Sequence, residues 1–228
     1  MVSKRVLGFY AFVDAWLVAA AALSIAMSVV WRSPNLMINF TFAYSGMDLT
    51  AGLVLGIMLL LTFFTSVFAV VQKNHVTLGL VILNWTLIAD AIAVVVIGSM
   101  IWFYSLHQRN NYFDVFKAAS AQTRIDIQDK FSCCGYFAVN DIVETSAGFC
   151  SNSTNVGLVN TNNTDMFRCV GPITGFTDFT LNNIFTTIYG YMAILIALFL
   201  ASLCVIHQRN EAERFRKIDA KRGGRGFV

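Results

Sequence analysis

The sequence predicts an all-α membrane protein: four transmembrane helices with one small outer loop and one large, disulfide-stapled outer loop. Three observations lead there. Of 228 residues, 57% are hydrophobic and only 13% charged, against roughly 25% charged in an ordinary soluble domain. Four apolar runs exceed the roughly 20 residues that cross hydrocarbon. Four of the five cysteines lie in a single segment between the third and fourth runs.

Taken in order, the runs are Val6 to Val30, Met47 to Val71, Val76 to Tyr104 and Ile184 to His207. The first follows Lys4 and Arg5 but far exceeds the roughly 7 to 15 apolar residues of a signal-peptide core, so it is expected to stay as an anchor. This divides the chain into residues 1–104 (a short tail, three spans at about 6–30, 47–71 and 76–104, and a small outer loop at 31–46), a large outer loop at 105–183, a fourth span at 184–207 and a basic tail at 208–228.

Basic residues set the orientation. Lys4 and Arg5, Lys73 in the QKNH link, and seven basic residues against three acids after His207 all fall on one side of a four-span chain. Short basic segments stay cytoplasmic. Both termini are therefore expected inside, in the plasma membrane or an endomembrane. Sequons at Asn39, Asn152 and Asn162 fall in the outer segments as candidate glycosylation sites, whereas Asn84-Trp-Thr lies within a span and is unusable. Trp31, Tyr44, Trp102 and Tyr104 stand where an outer aromatic belt would.

The large loop contains about 79 residues, a size at which a hydrophobic core alone is marginal. Cys133, Cys134, Cys150 and Cys169 lie in it, on the side where disulfides form. A bridge between adjacent cysteines closes a strained ring, which leaves two crosslinked pairings open. Gly135 is suited to turn the chain between diverging bridges. No Gly or Pro occurs from Ser99 to Cys134, so the third span is expected to continue as a helical stalk, with Tyr112, Phe113, Phe116 and Ala119 on one face and Ile127 and Phe131 extending the stripe. The polar stretch CSNSTNVGLVNTNNTDMF reads as a surface loop. GPITGF is expected to break the chain before a helix starting near Thr177 or Asp178.

With these residues in view, the chain resembles the tetraspanins. Four spans, a four-residue inner turn and a Cys-Cys-Gly motif in a large outer loop, followed by two more cysteines, carry the resemblance over nearly the whole chain. Gln128 and Phe131 in IDIQDKFSCCGY fit it as well. The short four-cysteine loop and basic tail look most similar to tetraspanins of filamentous fungi, including those of appressorium function and host penetration. The resemblance implies bridges Cys133–Cys169 and Cys134–Cys150. It also implies palmitate on Cys204, and partners that are other membrane proteins, further tetraspanins or copies of itself, and membrane lipid including sterol. The third cysteine departs from the family in its Gly148-Phe149-Cys150 setting, the inner cysteines are reduced to Cys204, and the polar residue common in the fourth span is missing.

Asp14, Asn84 and Asp90 lie inside spans, where a charge costs at least about 2.5 to 3.5 kcal/mol on insertion scales. Depth counting pairs Asp14 with Asn84 and sets Asp90 near Tyr191. Interhelical glue is the reading favoured over an ion path. Gly8, Ala11, Ala15, Ala19, Ala22 and Ala26 form a small-residue seam and Gly52 with Gly56 a GxxxG face; both are read as packing the first two helices together rather than as a dimer surface. Arg214, Arg216, Lys217, Lys221, Arg222 and Arg225 are suited to anionic lipid, at about 1 kcal/mol each. His75, His107 and His207 sit at membrane edges, and the two HQRN tetrapeptides are read as coincidence.

No phosphate loop, nucleophile motif, cofactor motif or metal-ligand spacing is visible, and nothing points to nucleic acid. Three functions compete. The favoured one is a membrane organiser without chemistry of its own. The second is a small transporter or channel subunit using Asp14 and Asp90. A thiol oxidoreductase is disfavoured, because vicinal cysteines lack CxxC spacing.

Overall fold

A computed structural model of the chain describes residues 3–32, 46–72, 77–138, 140–152, 155–156 and 167–221. Its helices are α1 (Lys4–Val30), α2 (Gly46–Val71), α3 (Leu78–Leu106), α4 (Gln108–Ala118), α5 (Ala121–Phe131) and α6 (Val170–Lys221), with a 3₁₀ turn at Phe149–Ser151. Among the described residues, α1, α2, α3 and α6 are long and apolar enough to cross a membrane. The chain has the architecture of a multi-pass, all-helical membrane protein. Two compact units form, one of Met1–Met27, Ala51–Val96 and Ile188–Val228, the other of Ser28–Thr50 and Ile97–Thr187.

In the first unit the buried positions repeat in steps of three and four. They are Leu55, Leu59, Thr62, Ser66 and Ala69 on α2, then Leu80, Leu83, Leu87, Asp90 and Val94 on α3. On α6 they are Ile188, Tyr191, Leu195, Leu198, Ser202, Val205 and Arg209. A repeat near 3.5 residues keeps one seam facing its neighbours, the geometry of left-handed bundles. The opposite faces are also apolar, with Phe64, Phe68, Ile92 and Leu200 more than half exposed, as helices bounded by lipid require.

Gly56 is where α1 and α2 come closest: a Cβ there would meet Ile25 Cγ1 at 2.6 Å and the Ala21 carbonyl at 3.2 Å. The Ser24 hydroxyl donates to the Gly52 carbonyl at 2.8 Å. The GxxxG face of α2 thus packs on α1 as expected. The seam of α1 does not: Gly8, Ala11, Ala15, Ala19, Ala22 and Ala26 are all exposed, and the buried face carries Tyr10, Val13, Asp14, Leu17, Ala20 and Ala21. Small size alone selected the wrong stripe. The phase of the helix is set by Tyr10 and Asp14, whose polar atoms must turn inward.

The second unit corrects two boundaries. The expected continuous stalk is three helices, interrupted at His107 and again at Ala119 and Ser120. Ser120 is extended, with ψ 156°, and its hydroxyl accepts from Thr123 N at 3.1 Å. Absence of Gly and Pro did not prevent a break, because an N-cap serine supplies one. The last helix begins at Val170 rather than near Thr177, running through Gly171, Pro172 and Gly175. Pro172 falls in the first turn, where its missing N–H has no intrahelical acceptor to lose. The helix also continues past His207 to Lys221, so the described part of the basic tail is helical.

Candidate functional site

The four outer cysteines form two diverging bridges, Cys133–Cys169 and Cys134–Cys150, with Cα separations of 5.0 and 5.8 Å. All four are buried. Gly135 sits at φ 71°, a region glycine enters without cost, and so turns the chain between them. Backbone bonds reinforce the anchorage. Cys134 N donates to the Phe167 carbonyl at 3.2 Å, and Cys169 N to the Gly135 carbonyl at 3.0 Å. Both ends of the segment from Tyr136 to Arg168 are therefore tied to the end of α5 and the start of α6.

Around the first bridge lies an aromatic core. Tyr112, Phe116, Ile127, Tyr136 and Ile173 are fully buried there, with Phe113 and Phe131 packed against them. The Tyr136 ring contacts Phe113 and Phe116 at centroid distances of 5.4 and 5.5 Å. Its hydroxyl donates to the Arg109 carbonyl at 2.9 Å. Burial pushes this phenol well above its ordinary range, so it stays a neutral donor. The predicted stripe Tyr112, Phe113, Phe116, Ile127 and Phe131 is the face that builds this core.

The second bridge carries the residues that sequence reasoning missed. Gly148 takes φ 77° and ψ −158°, a conformation essentially confined to glycine. A Cβ at that position would collide with the Asp129 carboxylate, which accepts the backbone N–H of Phe149. Asp129 thus caps the turn that delivers Cys150. Arg124 pairs with Glu144 and also donates to the Ala119 carbonyl at 2.6 Å, tying α5 to the segment after Tyr136. Val143, Phe149, Val156 and Phe167 pack on Cys134 and Cys150. Val156 and Phe167 are therefore committed to the domain's own packing. Asn39, Asn162 and most of the polar stretch from 153 to 166 lie outside the described residues; Asn152 is exposed.

In the first unit the intramembrane polar residues occupy the buried seam, with partners different from those counted by depth. Asn84 meets the Ser202 hydroxyl, not Asp14. The Tyr10 hydroxyl and Ser66 Oγ are 2.6 Å apart, and Asp14 lies close to Ser66. Asp90 lies close to Thr62, one turn from Ser66 on the same face of α2. Thr62 and Ser66 thus serve α3 and α1 from one helix, a signal present in their spacing of four. Arg209 donates to the Ala69 and Val70 carbonyls at 3.3 and 3.0 Å, capping the C-terminal turn of α2. In the first HQRN the backbone carbonyl of Arg109 receives Tyr136 instead, so the two tetrapeptides share no role. Cys204 is exposed on α6 with a free thiol. No cluster of three metal-ligating side chains occurs among the described residues.

Comparison with family models, with characterised proteins and with solved structures gives no match to this chain. What fold and site define is the class, a multi-pass helical membrane protein with a disulfide-bonded domain built on two of its helices.

Proposed function

We propose that this chain is a tetraspanin-like membrane organiser that gathers partner membrane proteins through its large outer loop and its helices. In this reading both termini are cytoplasmic, and the finer assignment is to morphogenesis or host penetration in a filamentous fungus. One observation carries it: the two bridges and their backbone bonds leave Cys133, Cys134 and Gly135 as a single clamp on both ends of the Tyr136 to Arg168 segment. A segment whose two ends are so anchored, and whose core contacts lie mostly near those ends, suits partner selection. Burial of all four sulfurs favours structural over redox use.

The test exchanges residues 151–166 for an unrelated loop of equal length that retains Val156, keeping Cys150 and Cys169. Delivery to the membrane and both bridges are expected to persist while the set of crosslinked, co-purifying membrane proteins changes. An unchanged set from correctly delivered protein moves recognition to the helices or the basic tail.

A second reading, a small transporter or channel subunit, has one specific observation in its favour. Asp14 Oδ1 and Asp90 Oδ2 are buried without a hydrogen-bond partner. Ion or proton flux through purified protein in liposomes, abolished by Asp14→Asn with Asp90→Asn, would select this reading over the first.

A further inference from the structure

Where α3 and α6 leave their apolar runs, the second unit contains an open cleft of about 550 Å³. That is within the roughly 300 to 1,000 Å³ of sites that hold small ligands. Trp102 and Ser105 of α3 line one side, and Asp178, Phe179, Asn182 and Phe185 of α6 the other. Its floor is Ile101 and Leu181, only 4% and 2% exposed. Trp102 and Phe179 are 49% and 72% exposed, although each heads or flanks a membrane-length helix. Asp178 is exposed, and no lysine or arginine lines the cleft to neutralise it.

The combination is chemically specific. Three aromatic side chains and one carboxylate, with no basic group, suit a cation that is bulky and weakly hydrated. Aromatic faces attract such a cation through their quadrupoles, and quaternary ammonium is the ligand most often held this way. An anion or a phosphate alone finds no positive partner here.

Depth selects the source of the cation. On α6 the cleft extends from Phe185, at the start of the apolar run, to Asp178, six residues before that run, so at 1.5 Å per residue it spans about the first 9 Å beyond the hydrocarbon along the helix. The headgroup layer on each side of the hydrocarbon is about 5 to 7 Å thick, and Trp102 lies at the level where tryptophan collects. A lipid whose chains lie beside α3 and α6 carries its headgroup at this height.

We propose that the cleft binds the choline group of a phosphatidylcholine-type lipid. The trimethylammonium sits against Trp102, Phe179 and Phe185 near the Asp178 carboxylate, with Asn182 and Ser105 as polar neighbours for the ester and phosphate oxygens. The inference depends on membrane embedding of α3 and α6 and is independent of whether the outer loop selects partners.

The test places the full-length, oxidised protein in nanodiscs of equal parts phosphatidylcholine, phosphatidylethanolamine and phosphatidylglycerol, and identifies retained lipid by native mass spectrometry. Retained phosphatidylcholine is expected to exceed each of the others about fivefold, the lower range of a partly desolvated cation–π site. Asp178→Asn and Phe179→Ala, both at exposed positions, should each bring the ratio close to one, while Asp178→Glu keeps the preference. Intact bridges in every variant, checked by peptide mapping, guard against misfolding. Equal retention of phosphatidylcholine and phosphatidylethanolamine overturns the proposal, as does a preference that survives both Asp178→Asn and Phe179→Ala. A failed loop exchange with choline preference intact would reject the organiser reading alone.

Discussion

In the unit of α1, α2 and the membrane-length parts of α3 and α6, the outward faces are as apolar as the inward ones, so apolarity cannot tell inside from outside. Lipid is as good a solvent for leucine as another helix is. What distinguishes the inner seam is close approach at Gly56 and polar contacts at Tyr10, Asp14, Thr62, Ser66, Asn84, Asp90 and Ser202. The unit of α4, α5 and the bridges works the other way. Burial of Tyr112, Phe116, Ile127 and Tyr136 identifies its core, and covalent crosslinks supply what a small core lacks. One region is held by steric and polar detail, the other by hydrophobic burial and disulfides, and each can be broken without breaking the other.

The bridges should show the largest effect. In the chain-entropy account, closing a separation of 36 residues stabilises by about 4 kcal/mol and one of 16 by about 3 kcal/mol. Cys133→Ser with Cys169→Ser should therefore make the outer domain protease-sensitive at 37 °C, and Cys134→Ser with Cys150→Ser somewhat less so. Helical circular dichroism from the spans should be little changed in both. Collective loss of the spans' helicity would show that the two units are not separable in stability.

Next comes Gly148→Ala. The substitution meets both a positive φ and the Asp129 carboxylate, and strain of this kind costs about 1 to 3 kcal/mol. Limited proteolysis near Cys150 should accelerate while the core around Cys133 and Cys169 stays protected. In the bundle the counterpart is Gly56→Val, which drives methyl groups into Ile25 and the Ala21 carbonyl and should cost about 1 to 3 kcal/mol in detergent thermal stability. Its bridges should form normally. Ala15→Val, on the exposed face of α1, should be near neutral in the same assay, and a loss equal to that of Gly56→Val would return the seam to the packed interior.

Polar contacts inside the bundle are smaller. A double-mutant cycle on Asn84→Leu and Ser202→Ala should give a coupling of about 0.6 kcal/mol, with about 1.7 as the upper range for such pairs. The same cycle on Asp14 and Asn84 should be additive, because Asn84 pairs with Ser202 instead. Coupling between Asp14 and Asn84 would instead support the pairing by depth.

The sequence showed most plainly whatever depended on long-range averages. Four apolar runs located four helices, three to within a few residues and the fourth as the middle of a longer helix, because spanning hydrocarbon demands a length. The cysteine pairing followed from the family resemblance and not from spacing, which left two pairings open. Local exceptions stayed hidden. Ser120 starts a new helix through one side-chain bond, and Val170 starts another seven residues before the expected Thr177, because Pro172 is tolerated there. Asp129 and Gly148 are nineteen residues apart and meet only once Cys134 and Cys150 are joined. The α1 seam was misjudged because residue size was weighed without helical phase.

The smallest predicted effect is a gain, and it separates the two ways of building most finely. Gln128 is 1% exposed beside the core of the outer unit, and neither Nε2 nor Oε1 of its amide has a hydrogen-bond partner. In the bundle, Tyr10 and Asn84 find hydroxyls on neighbouring helices; here the amide is enclosed by a core that offers it none. A buried polar group left unpaired costs about 1 to 3 kcal/mol, and an apolar group of similar shape removes that cost. Methionine matches glutamine in length and, being unbranched and flexible, adapts to irregular surroundings. Gln128→Met should therefore raise the outer domain's thermal stability by about 1 kcal/mol, seen as slower proteolysis at fixed temperature with both bridges intact. A loss of that size would mean that the amide serves a contact made only in a complex, and co-purification of the variant with its membrane partners would then fall in parallel.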